Sequence, residues 1–128
     1  MEIINPSTMS KPSGYSHGVK ATGSFLAVAG QVGWDAEGQI VGADFLSQFL
    51  QALENVVQVV REAGGEPQNL ISLTIFVTSK ESYLDCLKSL GTGYRKIMGR
   101  HFPAMTLVEI AGLIEEGAQV EVQGLAVI

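Results

Sequence analysis

A single cysteine, Cys86, is present in the 128-residue sequence, so no intrachain disulfide can form and no multi-cysteine metal site can be assembled. A reducing, cytoplasmic setting is the expectation. Charge is also scarce: charged residues make up 16% where about 25% is usual. The eight Lys and Arg are outnumbered by thirteen Asp and Glu, for a net charge of −5 and a pI near 4.9. They form no basic cluster, and clustered basic residues supply most of the affinity for phosphate backbones. A nucleic-acid partner is therefore not expected. No apolar run approaches the roughly 18 residues of a membrane span, and Met1-Glu2-Ile3-Ile4-Asn5-Pro6 lacks a basic segment leading into an apolar one. The chain is expected to be neither exported nor membrane-embedded. No Gly-Lys-Ser/Thr follows Gly64-Gly65 or Gly91-Thr92-Gly93, which excludes a phosphate loop. His17 and His101 are far apart and lack a third ligand at a recognisable spacing, so no metal is expected.

Apolar residues are plentiful. With 46% hydrophobic residues and fifteen glycines, the sequence exceeds the roughly 45–50% apolar content of ordinary globular chains. Residues 1–128 fit one domain with one core. So small a core cannot hide the whole excess, which points to burial against further copies of the chain.

Asn5 to Gly14, rich in Ser, Pro, Thr and Gly, reads as an irregular surface segment. Two short runs flank Thr22-Gly23, and Phe25-Leu26-Ala27-Val28-Ala29 reads as a strand in a hairpin turning there. A tight turn follows through Gly33 to Gly38. Asp44 is a good N-cap for a helix carrying Phe45, Phe49, Leu53, Val56, Val57 and Val60 at three- and four-residue spacing, stopped at Gly64-Gly65. Leu70 to Thr78 alternates as a strand. Ser79 or Lys80 opens a second helix with Tyr83, Leu84, Leu87, Leu90, Tyr94, Ile97 and Met98 on one stripe, weakened in its middle by Gly91 and Gly93. Met105 to Ala111 and Gln119 to Ile128 are strand-like, and a loop joins them. The order β-β-α-β-α-β-β predicts an α+β fold, with two helices packed on one face of a mixed sheet. The other face then needs a cover, and a neighbouring subunit is the natural one.

Across essentially its whole length the sequence resembles the RidA/YjgF family of reactive-intermediate deaminases. The segments carrying the resemblance are Asn5-Pro6, Tyr15-Ser16, Ala29-Gly30-Gln31-Val32, Gln51-Ala52-Leu53-Glu54-Asn55-Val56, Ala63-Gly64-Gly65, Thr74-Ile75-Phe76-Val77, Pro103-Ala104-Met105-Thr106 and Val120-Glu121-Val122. The resemblance implies a chorismate-mutase-like fold, a homotrimer, and three small-molecule clefts at the subunit interfaces. It also implies hydrolysis of 2-imino acids or their enamine tautomers without a cofactor. In the family picture an arginine after Pro-Ala grips the substrate carboxylate, a glutamate on the last strand handles water, and a tyrosine near the N-terminus completes the pocket with the Ser-Gly-Gln backbone.

Carried over residue by residue, Glu121 matches the glutamate and Tyr15 the tyrosine, while Ala29, Gly30, Gln31, Leu87, Met105 and Thr106 line the substrate site. Met105 stands at the arginine position, Ala29 at that of the usual serine, and Leu87 about where an asparagine is common. A thioether donates no hydrogen bond, so the bidentate fork that recognises a carboxylate is gone. These departures place the chain in an arginine-lacking branch. Its expected ligand is an imine, enamine or amide-like metabolite with no carboxylate at the usual place, and the alternative is a non-catalytic ligand-binding or interaction protein.

Each candidate has a plainer reading beside the functional one. Glu121 is either a base in a partly dry cleft or an outward residue of an alternating strand, and the resemblance favours the cleft. Glu109 could pair with it as acid and base, though a surface or interface salt bridge is favoured. Tyr15 serves hydrogen bonding and interface packing equally well. Trp34 reads first as packing. Arg95 and Arg100 are the basic residues near Pro103. Either could reach the cleft, but arginines in a helix's last turn usually serve its dipole. Cys86 lacks a neighbouring base and reads as a buried or half-buried thiol.

Overall fold

Asp44 accepts a hydrogen bond from the Ser47 amide at 2.9 Å and opens helix α1, Phe45–Glu62; the computed structural model spans Met1–Ile128. Phe45, Phe49, Leu53, Val56, Val57 and Val60 form its buried stripe, as their spacing predicts, and Ala52 is buried with them. The helix stops where Gly64 takes φ 90° and the Gly65 amide reaches back to the Val60 carbonyl at 2.9 Å.

Preceding α1 are strands β1 (Glu2–Ile4), β2 (Gly18–Lys20) and β3 (Phe25–Gln31). After it come β4 (Leu70–Val77), helices α2 (Lys80–Asp85) and α3 (Leu87–Met98), then β5 (Ala104–Glu109) and β6 (Val120–Val127). The main sheet is mixed and ordered β3-β6-β4-β5, with β5 parallel to β4 and the other pairs antiparallel. The fold class is α+β, as the element order predicts. None of its helices is long and apolar enough to cross a membrane.

Leu73, Ile75 and Val77 of β4 and Val120, Val122 and Ala126 of β6 project to the helix-covered side and join α1 and α3 in one core. Gly124 lets α1 lie close against the sheet: a Cβ there would lie 3.0 Å from both Val56 Cγ1 and Leu70 Cδ2. The alternate residues Ser72, Thr74, Phe76, Thr106, Val108, Glu121, Gln123 and Leu125 occupy the opposite face. No helix packs on that face; Thr106, Val108 and Gln123 are exposed there, and Phe25, at its β3 edge, is 77% exposed.

Two expectations are corrected. The runs around Thr22-Gly23 do not pair as a hairpin: β2 pairs with β1, and β3 pairs with β6. Local turn chemistry lost to the longer ladder that β3 forms with the C-terminal strand. The second helix is also two helices. Cys86 takes φ −119°, ψ 19° between them, because Leu84 and Leu87 at the join are exposed while Tyr83 packs edge-on to Phe45 and Leu90, Tyr94 and Met98 reach the core. No single straight stripe serves both sets. Gly91 and Gly93 do not interrupt α3; at Gly93 a Cβ would sit 2.6 Å from Leu50 Cδ1, so glycine permits the close approach to α1.

Candidate functional site

Strand β5 runs parallel to β4 with Met105 beside Leu73 and Leu107 beside Ile75, so both side chains face the helices. There they line a cavity of about 810 Å³, within the roughly 300–1,000 Å³ of small-molecule sites. Its walls include Tyr15 from the N-terminal segment and Tyr83, Leu87, Leu90 and Tyr94 from α2 and α3. Three of the expected site residues, Tyr15, Leu87 and Met105, thus meet in one place. Burial pushes the Tyr83 phenol's pKa up, with a smaller contribution from the Cys86 thiol, and burial alone raises that of Tyr94. Both remain neutral hydrogen-bonding groups at physiological pH. The Tyr94 hydroxyl donates to the His101 carbonyl at 2.6 Å.

Arg95 is the sole charged residue of the cavity lining. It makes no ion pair; the chain's two ion pairs, with Glu54 and Glu66, both belong to Arg61. Arg100 lines a separate cavity formed with the segment from Met1 to Ser16.

Glu121 lies on the other side of the sheet, half-buried, opposite Phe76. Its carboxylate occupies the space that a side chain at Gly30 would fill: a Cβ there would be 2.5 Å from Glu121 Oε1. The register between β3 and β6 shifts after Val28 and resumes at Gln31, so Ala29 and Gly30 form a bulge beside Glu121. Thr106 shares that open face. The Gln31 side chain donates to the Ala29 carbonyl at 3.2 Å and accepts from Trp34 Nε1 at 3.3 Å. Within one chain, therefore, Glu121, Gly30 and Thr106 are separated by the sheet from Met105, Tyr15 and Leu87.

The family model described as Endoribonuclease L-PSP matches residues 7–128, and a RutC family protein of Pyrococcus horikoshii is 30% identical over 127 residues, 98% of this chain and 96% of the relative. The chain belongs to the RidA/YjgF family. Its backbone superposes on the Rid family protein YyfB from Yersinia pestis with a TM-score of 0.85 at 31% identity, covering 99% and 98% of the two chains. A 2-iminobutanoate/2-iminopropanoate deaminase of Salmonella typhimurium is 30% identical over 108 residues, 82% of this chain and 80% of that one.

Several residues in this Rid chain have roles other than the chemical ones weighed from the sequence. Glu109 is no partner for Glu121, because β4 lies between their strands and their side chains take opposite faces. It instead accepts the Lys80 amide at 2.8 Å, tying β5 to the start of α2. His101 is buried with Nε2 2.6 Å from the Leu70 carbonyl, and His17 Nε2 lies 2.8 Å from the Ser10 carbonyl. Cys86 is half-buried; burial first, and then the nearby Asp85 carboxylate, push its thiol pKa up, away from the reactive thiolate. The Trp34 carbonyl accepts from Asn55 Nδ2 at 3.0 Å, fixing the turn after β3 against α1.

Sequence reasoning missed Gln48. Only 1% exposed, it donates through Nε2 to the Gly42 and Gly117 carbonyls at 2.8 and 3.1 Å and accepts the Gln119 amide at 2.8 Å. A polar residue adjoining the apolar stripe, between Phe45 and Phe49, was the available signal.

Proposed function

We propose that this Rid-family chain forms homotrimers with small-molecule clefts between subunits, and that it hydrolyses a small imine, enamine or related metabolite there. The observation carrying this reading is the division of the candidate site by the sheet. One substrate cannot touch Met105 and Glu121 of the same chain, but it can touch Met105 of one copy and Glu121 of a second copy whose open face closes the cavity. The uncovered face and the exposed Phe25 supply the apolar surface such packing needs. In this arrangement Met105 and Leu87 hold the apolar part of the ligand, Tyr15 offers a hydroxyl, and Glu121 takes a proton from the water that attacks the C=N carbon. Ammonia then leaves and a carbonyl remains.

The relatives named as 2-iminobutanoate/2-iminopropanoate deaminases support the reaction class. Met105 argues against their substrate range, because its thioether cannot provide a carboxylate with the two parallel N–H donors of an arginine. Assays on 2-aminoacrylate and on a panel of larger imines, neutral and acidic, test this: the larger imines are turned over and 2-aminoacrylate is not, and aminoacrylate turnover at rates typical of the deaminases would sink it. The second reading, a ligand-binding protein without chemistry, is favoured by the same apolar lining. Glu121→Ala separates them, abolishing turnover in an enzyme and leaving affinity intact in a binding protein.

A further inference from the structure

Arg95 lies in the last turn of α3, where an arginine ordinarily answers the exposed carbonyls of the helix end. Its side chain runs the other way. Arg95 Nη1 is 3.3 Å from the point where a Cβ of Gly91 would be, one turn toward the helix N-terminus, as the tilt of helical side chains favours. Glycine at 91 leaves that lane open, and Gly91 and Arg95 both line the cavity. The guanidinium therefore borders a space walled by Tyr15, Leu87, Leu90, Met105 and Leu107, with no carboxylate in the lining and no ion-pair partner of its own. Arg95 is exposed to solvent, so its guanidinium is accessible to an incoming anion, and the apolar wall beside it favours an anion that brings an apolar body with it.

We propose that Arg95 is the anion-recognising residue of this cleft. It would bind the carboxylate of a ligand whose branched or aromatic body fills the space against Met105. The inference rests on the cavity being the ligand site. It deepens that reading by moving the charge from the strand wall, where Met105 has none, to the helical wall. A cavity of about 810 Å³ has room for much more than a three-carbon acid, so bulky 2-oxo and 2-imino acids are the substrate class assigned.

The probes are 4-methyl-2-oxopentanoate, its neutral amide and pyruvate, titrated calorimetrically into the wild-type protein and into Arg95→Gln and Arg95→Lys. The wild type should bind the branched acid about 10- to 100-fold more tightly than the amide, the range expected for a charged hydrogen bond, and more tightly than pyruvate. Arg95→Gln should lose that preference while keeping its affinity for the amide, which also reports an intact fold. Arg95→Lys should restore part of it. Equal binding of acid and amide by the wild type, an acid preference that survives in Arg95→Gln, pyruvate binding as tight as the branched acid, or no binding of either branched probe would each overturn the proposal. Binding is read without turnover. An Arg95-dependent preference with no hydrolysis would reject the hydrolytic function alone, and hydrolysis indifferent to Arg95 would reject this inference alone.

Discussion

Replacing Gln48 by leucine preserves the approximate size of the side chain and removes all three of its hydrogen bonds. The Gly42 and Gly117 carbonyls and the Gln119 amide lose their partner together. At about 1 kcal/mol net for each bond the loss is about 3 kcal/mol, and each group left dry adds to it. Gly117 is exposed, so water replaces Gln48 at that carbonyl and limits the total to about 2–4 kcal/mol. For a domain of this size that corresponds to roughly 8–16 °C in Tm. Thermal and urea unfolding, followed by circular dichroism at one fixed protein concentration, measure it. Gln48→Glu supplies the control. Its carboxylate faces two carbonyls, so its pKa is raised in the folded state, and the variant gains stability relative to wild type as pH falls and loses it as pH rises through that pKa. A Gln48→Leu protein within 1 kcal/mol of wild type, together with a pH-independent Gln48→Glu deficit, would refute the view that this residue holds the loop before β6 in place.

Gly91→Ala should raise stability by about 0.5–1 kcal/mol through helix propensity, measured by urea unfolding, and should weaken the acid preference by crowding Arg95. Gly33→Ala should destabilise by more than about 2 kcal/mol, because its Cβ would fall 2.7 Å from the Gln48 Cα and carbonyl oxygen; the same unfolding experiment reads it. Asp44 has its pKa lowered mainly by the Ser47 amide, so its cap contributes above pH 3.8, the ordinary value, and is lost as pH falls through the depressed one. Wild type and Asp44→Ala should therefore differ in Tm at pH 7 and converge in strong acid. Phe25→Glu and Val108→Glu place charges on the uncovered sheet face; sedimentation velocity should show wild-type trimers and dissociated variants.

Much of the fold was legible in local pattern. The Asp44 cap, the stripe from Phe45 to Val60 and the Gly64-Gly65 stop describe α1 because each is a short-range rule acting on neighbouring residues. The alternation from Leu70 to Val77 describes β4 for the same reason. The break at Cys86 was not legible, since it depends on where the core lies relative to Tyr83 and Leu90. Nor was the pairing of β2 with β1, a choice between ladders that no turn motif decides.

For the site, residue identity by itself determined that no carboxylate fork stands at position 105, that one thiol is available, and that the basic residues form no patch. The tertiary structure alone decided that Met105 and Glu121 look away from each other. Side-chain direction on a strand alternates with period two, so a one-residue difference in register exchanges the faces, and register is set by neighbouring strands far away in sequence. It also decided which arginine borders the cavity. Arg95 and Arg100 are five residues apart near one helix end and equivalent by composition, but α3 carries Arg95 past Gly91 along the cavity wall, while Arg100, beyond the stop at Gly99, borders the N-terminal segment.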